Sequence, residues 1–552
     1  MEQVIVVGGG PVGLWLAAEL RLGGVSVTVL EARAARGPHS RALTVHPRTI
    51  ENLAFRGAAE PFLAEGLRIP RGHFAGLREL MDFAVLDTPF PFTLALPQTR
   101  TEELLEAHAR AAGARILRGH RVTGLSQETN ADADADADAG AGDGTGRSVT
   151  VRVEGPDGPY VLEAAYVVGC DGTRSAVRES AGIGFPGTDA TVRAWLGDVV
   201  VDDPPAEPAL SVSGPRGALL AVRLPGGLYR FVGITPEDVG TGPAGAPTLA
   251  ELRAKVTRIT GRDFGMRDPV WLSRFDNATR QAARYRSGRV LLAGDAAHMH
   301  FPAGGVGLNV GIQDATNLGW KLAAVVRGAA PAALLDSYHD ERHPVGAELL
   351  ESTRAQTALM TAFSAEGQAL RAFLGGRIAS VPAFSKDLAE RLSGLAVAYP
   401  PAPGEAVHPL TGRRVPDLAL DLERTDADGL SGPSGPSSLF RLLRDGRHVL
   451  LDLADTDTGT RSVTGTGSSS STGSSSDTGP GTGAGTGSSS DTGPGSAAAY
   501  GAALPPGAAV YRARLASGHP GWSGLRAVLV RPDGHVAWAA DADAHADPVT
   551  TG

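Results

Sequence analysis

VIVVGGGPVGLWLAAEL, running from Val4 to Leu20, and VSVTVLEARAARGPHSR, from Val25 to Arg41, decide the fold of this 552-residue chain. An apolar β-branched run, Val4 to Val7, leads straight into Gly8, Gly10 and Gly13 at G-x-G-x-x-G spacing. A helix-length apolar segment follows, opened by Pro11 and Val12, and a second strand-like run ends on Glu31. Glycine-rich loops are common in isolation. Strand, glycines, helix, second strand and terminal acid at these offsets read as a dinucleotide site. Gly8 is expected to make the tight turn, Gly10 to let the backbone approach a pyrophosphate, and Gly13 to let helix and strand pack closely. The helix N-terminus offers N–H groups to phosphate, and the Glu31 carboxylate can accept hydrogen bonds from a ribose diol.

Two later segments choose between nucleotides. YVVGCDGTRSAVR (Tyr166 to Arg178) and GRVLLAGDAAHMHFPAGGVGLNVGIQDATNLGWKLAAVV (Gly288 to Val326) each read as apolar strand, Gly/Asp turn and helix. An NAD dehydrogenase needs no such pair. FAD does, because its ribitol and flavin extend well beyond the first βαβ unit. Asp295, at the end of RVLLAGD, can bond a ribitol hydroxyl. Beyond it, Pro302 and the run Gly304 to Gly307 lead into a helix opening near Leu308 and Asn309. Backbone donors there, with the helix dipole, suit a flavin edge that becomes anionic on reduction.

The three motifs, at Gly8–Gly13, Asp171–Gly172 and Gly294–Asp295, resemble those of the class A FAD-dependent aromatic hydroxylases, relatives of p-hydroxybenzoate hydroxylase and phenol hydroxylase. SRALTVHPRTIE, LPQTRTEELLEAHA, RRVPDL, LLDLAD and VLVRPDGHVAWAA are most similar to the aromatic polyketide hydroxylases of angucycline-type antibiotic pathways. The resemblance implies an α/β fold. A Rossmann-like FAD-binding domain of p-hydroxybenzoate hydroxylase type would hold an inserted antiparallel-sheet substrate domain and precede a thioredoxin-like C-terminal domain. It places Arg41 near the FAD pyrophosphate, Gln98 near the ribitol and the backbone around Val122 at the adenine. It also implies that NADPH, as co-substrate, binds transiently over the flavin using the Asp171 region. Reduced flavin would then react with O2 to a C4a-hydroperoxide that hydroxylates a phenolic ring of a polycyclic aromatic substrate.

Composition agrees with that picture. With 42% hydrophobic residues, the chain is long enough for two or three cored domains. No apolar run reaches a membrane span, and the first strand begins at the N-terminus with no room for a signal peptide, so a cytoplasmic protein is expected. Cys170 is the only cysteine, which rules out an intramolecular disulfide and a cysteine-built metal site. The net charge of −9 gathers in stretches such as Ala131 to Asp138, a solvated acidic loop, and argues against a nucleic-acid partner. Oligomeric state is not legible.

Domain boundaries follow composition. Residues 1–70, 97–187 and 281–400 read as the FAD-binding domain with following helices. Residues 71–96 and 188–280 read as the substrate-binding sheet domain, with strands in AWLGDVVV, ALLAVRL and LYRFVGI. Residues 405–552 form the thioredoxin-like unit, with strands in RHVLLDLAD and AAVYRARL and a hairpin turning at Pro532–Asp533–Gly534. Two low-complexity insertions interrupt the pattern. QETNADADADADAGAGDGTGRS reads as an extended hairpin loop, and the Ser/Thr/Gly tract 456–496 lacks the apolar residues to join a core and reads as disordered. The chain ends at DPVTTG, short of the last helix that the resemblance leads one to expect.

A water-free apolar pocket is required for the implied chemistry. Phe301 and Pro302 are candidates for its wall, as are Trp195 and Phe231 on the middle sheet, with core packing the competing role for each. No catalytic acid or base can be assigned. His298 and His300 form an H-x-H pair without a third ligand at recognisable spacing, so no metal is expected. No G-x-S-x-G elbow supports a hydrolase. Within the monooxygenases a rifamycin-type inactivating enzyme or a Baeyer–Villiger oxygenase remains open. From other classes, so do a flavoprotein reductase that does not activate oxygen and a catalytically inert FAD-binding scaffold.

Overall fold

The computed structural model describes residues 1–127, 148–207, 209–240, 245–401, 407–423, 435–453 and 504–542. The expected Ser/Thr/Gly disorder at 456–496 and most of the acidic hairpin loop lie outside these residues.

The β-branched run at the start forms strand Glu2–Val7, buried from Val4 onward. It pairs in parallel with Val27–Glu31 on one side and with the end of Gly158–Gly169 on the other. Arg115–Arg118 and Val290–Leu292 extend the parallel array outward. Such strands are buried on both faces, which is why they read as continuous apolar runs. Val7 is level with Leu30 and Gly169, and Gly169 with Leu292. Gly8, Glu31, Asp171 and Asp295 consequently follow at one carboxyl edge of one sheet, where open α/β sheets bind ligands.

Close packing at that edge depends on missing side chains. A Cβ on Gly13 would stand 2.0 Å from the Gly8 carbonyl oxygen, and one on Gly8, at φ +107°, 2.3 Å from that of Cys170. Helix Pro11–Leu22 can therefore sit directly on the strand that precedes it. Its other flank meets helix Gly307–Val326. There Trp15 Nε1 donates to Thr316 Oγ1 at 2.8 Å, and Gly319 leaves room for the Glu19 side chain.

A five-stranded antiparallel sheet runs in the order Ala209–Gly214, Gly217–Arg223, Leu228–Ile234, Arg193–Val201, Met266–Asp276. Helix Leu249–Thr260 covers one face, its Leu252 filling the space left by Gly197. The segment 71–96, expected to join this sheet, does not. Arg71–His73 and Leu80–Asp82 form a separate hairpin that packs on helices Ala365–Ser380 and Pro382–Ser393, while Thr93–Ala95 pairs with Thr44–Val45 and Leu67–Ile69. Short strands carry little register information, so sequence alone assigned them to the nearest larger sheet.

The C-terminal residues build a six-stranded sheet. Val449–Leu453 lies between Ala509–Leu515, parallel to it, and Leu525–Val530, antiparallel, and Val536–Asp541 lies outside the latter. The Pro532–Asp533–Gly534 turn reaches back into the first unit. Asp533 Oδ2 accepts from Trp320 Nε1 at 3.2 Å and Asn317 Nδ2 at 3.3 Å, and Arg48 Nη2 donates to the Asp533 carbonyl at 2.9 Å. Nearby, Arg56 pairs with Glu19 at 2.7 Å and donates to the Leu443 and Pro532 carbonyls.

Gly13→Ala forces an added methyl into backbone and is expected to destabilise the protein by about 1–3 kcal/mol. A Cβ on Gly10 meets nothing within 4 Å, so Gly10→Ala should stay within about 0.5 kcal/mol of the parent. Thermal unfolding of the two variants makes the comparison.

Candidate functional site

The first helix opens at Gly10 with Pro11 at its first position, no side-chain cap and no acid in its first turn. Its own first turn therefore puts no side chain on its N-terminal N–H groups and positive dipole end, and the space beside Gly10 is open. Glu31 stands at the adjoining strand end. Its Oε2 accepts the Gly9 N–H at 2.7 Å and its Oε1 the Arg33 N–H at 2.9 Å. The carboxylate thereby braces the glycine turn while keeping lone pairs for a diol.

Gly294–Ala296 is a single 3-10 turn at the end of Val290–Leu292. Gly294 takes φ +63° and packs on Val12. Asp295 is exposed and makes no side-chain hydrogen bond among the described residues. Helix Gly307–Val326 follows, again with no side-chain cap and no acid in its first turn. Pro302 is exposed, and Gly307 and Leu308 are half-buried. Asn309 is buried with its amide turned inward: Nδ2 donates to the Gly305 carbonyl at 2.9 Å, and Oδ1 accepts the His46 N–H at 2.8 Å. Only backbone at this position faces outward chemistry. Val12, in the first turn of one uncapped helix, touches Gly294 and the space above Gly311 in the other, so the two uncapped N-termini lie side by side at the carboxyl edge of the sheet.

Gln98 and Arg41 come together. Gln98 Oε1 accepts the Ala42 N–H at 3.0 Å, and its backbone N–H donates to the Ala42 carbonyl, so Gln98 holds the loop on which Arg41 is exposed. Val122 lies in strand Arg121–Gln127, its side chain in the core and its backbone in a ladder with Val153 that shifts register there. Asp171 is turned inward. It accepts from Ser175 Oγ at 2.5 Å and the Val177 N–H at 3.2 Å, capping helix Ala176–Ser180, and burial raises its pKa. Half-buried Cys170 has its thiol pKa pushed up by desolvation, which suits packing and not reactivity.

The pocket candidates separate by face. Phe301, 3% exposed, packs with Ala303 against Ala194, Ile234 and Phe275 of the five-stranded sheet and against Val192 just before it. Trp195 and Phe231 lie on the opposite face, in the core under helix Leu249–Thr260, and Trp195 Nε1 donates to buried Asp238 at 3.1 Å. Strand alternation sends neighbours to opposite faces; in AWLGDVVV the cleft-side residues are Ala194, Leu196 and Asp198 instead. Of the two roles open to Trp195 and Phe231, core packing is the one they fill here.

Three features escaped sequence reading. Arg230 and Asp198 make a buried two-pronged ion pair, both bonds at 2.7 Å, and Arg230 also donates to the Arg41 carbonyl at 3.5 Å. This fastens the antiparallel sheet to the Arg41 loop. His298 Nε2 donates to Asp314 at 2.8 Å, while His300 Nδ1 lies 2.7 Å from the Phe301 carbonyl, so the two histidines serve separate internal contacts. His46 is buried behind the glycine loop, its Nε2 donating to the Gly304 carbonyl at 3.0 Å. A charged residue within apolar helix pattern, such as Asp314 in GIQDATNLGW, was the available signal.

Burial lowers the His46 pKa from 6.5 to about 4, outweighing its backbone hydrogen bonds. Between these values the unfolded chain holds more protons than the folded one, so stability falls as pH drops from 6.5 towards 4 and this contribution is then exhausted. The full loss is of order 3 kcal/mol at about 1.4 per unit. Chemical unfolding from pH 7.5 to 4 should show that decline, with a shallower slope in His46→Gln.

A protein-family model for an FAD binding domain matches residues 1–353, and one for the C-terminal part of aromatic-ring hydroxylases matches 487–551. An uncharacterised aromatic compound monooxygenase of Bacillus subtilis is 41% identical, covering 98% of this chain and 95% of its own. The 12-dehydrotetracycline 5-monooxygenase/anhydrotetracycline 6-monooxygenase of Streptomyces rimosus is 43% identical over 82% of this chain and 85% of its own. The rifampicin monooxygenase of Streptomyces venezuelae is also 43% identical, over 84% and 89%. The solved structure of an aromatic hydroxylase from angucycline biosynthesis superposes with a TM-score of 0.77 at 40% identity, covering 98% of this chain and 96% of that one. On these matches the chain belongs to the FAD-binding class A aromatic polyketide hydroxylases and is an FAD-dependent aromatic monooxygenase.

Proposed function

We propose that this enzyme holds FAD non-covalently along the carboxyl edge of its parallel sheet, uses NADPH and O2, and hydroxylates an electron-rich ring of a polycyclic aromatic polyketide of angucycline type. The observation that carries this reading is the apolar junction of Phe301 and Ala303 with Val192, Ala194, Ile234 and Phe275. It adjoins the segment between Asp295 and Gly307 that would face the flavin. The similarity to tetracycline and angucycline hydroxylases supports the substrate class.

Gly8, Gly10, Pro11, Val12 and Gly13 frame the pyrophosphate in this reading, and Glu31 receives the adenosine ribose. Val122 lends backbone to the adenine, and Arg41, on its Gln98-held loop, neutralises phosphate charge. Asp295 takes a ribitol hydroxyl, and the backbone from Gly307 to Asn309 meets the flavin pyrimidine edge. When bound, FAD supplies the hydride-accepting and oxygen-activating chemistry. The chain orients the ring and keeps water out, and Phe301, Phe275, Met360 and Phe363 form the dry side of the junction.

The three-part division is proposed with it: a nucleotide unit, a substrate sheet, and a C-terminal unit of thioredoxin-like type. Supporting the last is the central strand order of Val536–Asp541, Leu525–Val530, Val449–Leu453 and Ala509–Leu515, whose final pair is parallel. The sole cysteine, Cys170, lies outside that unit, leaving it no thiol chemistry and a packing role. A second reading, inactivation of a rifampicin-like aromatic, is favoured by the 43% identical rifampicin monooxygenase.

Purified protein should be yellow and release its flavin to the supernatant on acid precipitation; flavin retained in the pellet would show a covalent link. With a panel of angucycline, anthracycline, tetracycline and rifampicin compounds, NADPH-dependent oxygen uptake should give a product one oxygen heavier from a polycyclic polyketide. Conversion of rifampicin alone would favour the second reading. NADPH oxidation without oxygenated product from any compound would leave only a reductase.

A further inference from the structure

The turn that carries Asp295 closes on the Ala297 N–H, which donates to the Gly294 carbonyl at 2.8 Å, and Arg178 Nη1 donates to the Ala296 carbonyl at 3.0 Å. What grips the Gly294 N–H is Asp314, in the middle of helix Gly307–Val326 and wholly buried. Its Oδ2 accepts the Gly294 N–H at 3.1 Å and His298 Nε2–H at 2.8 Å, and its Oδ1 accepts Arg342 Nε at 2.8 Å. On the far side Gly294 abuts Val12, so the turn is fixed from both directions.

A buried carboxylate is retained only if paired and fully hydrogen-bonded. Burial works to raise the pKa of Asp314, but the Arg342 and His298 charges together hold it below the ordinary value, so both oxygens remain acceptors. Arg342 is itself anchored, donating to the Val310 carbonyl at 3.3 Å and to the Tyr399 hydroxyl at 3.4 Å. The Tyr399 ring lies 4.3 Å from that of His535 in the C-terminal unit.

We propose that Asp314 is the positioning residue of the cofactor site: by gripping the Gly294 N–H it aims Asp295 at the ribitol of FAD. The proposal rests on the assignment of Asp295 given above. It differs from a general stabilising role in one measurable respect. A residue that acts through Asp295 has nothing left to position once the Asp295 carboxylate is gone.

The test is a double-mutant cycle read by fluorescence titration of apoprotein with FAD, using wild type, Asp295→Ala, Asp314→Asn and the double variant. Loss of a charged hydrogen bond corresponds to a ~10- to 100-fold weaker Kd for Asp295→Ala, and Asp314→Asn should lose at least about tenfold by the same mechanism. The double variant should then be within about threefold of Asp295→Ala, the margin for additive sites. Independent, multiplied losses in the double variant overturn the proposal, as does unchanged affinity in folded Asp314→Asn. Unchanged affinity in Asp295→Ala overturns the ribitol assignment and the proposal with it. Should Asp314→Asn yield no folded protein, His298→Ala, which removes one of the donors to Asp314, replaces it in the same cycle and is judged by the same outcomes.

Discussion

The contact on which the other packing rests is that of Gly13 with the Gly8 carbonyl. With no side chain at either position, the first helix lies on the turn that precedes it, and that closeness sets where Val12 stands. Val12 in turn is the surface against which Gly294 and Gly311 are packed. Bulk at any of these glycines would propagate, because interiors are close-packed and a displaced helix has no slack to absorb it. The uncapped ends of two helices are brought together by the Val12 side chain, which the glycines opposite it admit, without any charged residue being required to aim them.

Polar groups then secure what the glycines bring together. Asp314 with Arg342 and His298, Arg56 with Glu19, Arg48 with Glu51, and Asp198 with Arg230 are all buried pairs. Buried pairs give little net stability over apolar residues of the same shape. What they do is forbid alternatives, since a sliding helix would leave an uncompensated charge in the interior. Arginine suits this work better than lysine, as its planar fork satisfies a carboxylate and a carbonyl at once. Arg56 does so with Glu19, Leu443 and Pro532, joining the first helix to the C-terminal unit through one side chain.

The parts legible in sequence are those encoded over short spans. Gly8 to Glu31 occupies one βαβ unit, and the strand–turn–helix patterns around Asp171 and Asp295 are likewise local. The remainder was hidden by distance and by sidedness. Arg48 and Asp533 are 485 residues apart, and nothing near either one names the other. For Trp195, alternation established two faces of a strand but not which of them a helix would cover. That was settled by Gly197 and Gly233, whose absent side chains admit Leu252 and the Trp195 ring on the helix side. Asp171 shows a third reason: its motif was visible, yet its carboxylate is spent capping a helix, a role that the same residues satisfy equally well.

The placement of the two insertions follows from the same geometry. Residues 128–147 separate Gln127 from Val149, which are paired at the end of their hairpin. Gln127 also bonds the Ser287 carbonyl and the Arg289 N–H, at the start of Val290–Leu292. That is the amino edge of the parallel array, opposite the edge bearing Gly8, Glu31 and Asp295. The second insertion departs from Leu453, which is level with Ala513 inside the C-terminal sheet. Both leave from positions where strand pairing fixes the flanks independently of the connection between them. Extra chain closed between flanks fixed in this way costs only about 0.6 kcal/mol per doubling of its length. The carboxyl edge is tied down instead: the first helix by Gly8 and Gly13, the Arg41 segment by Gln98, and the Asp295 turn by Asp314.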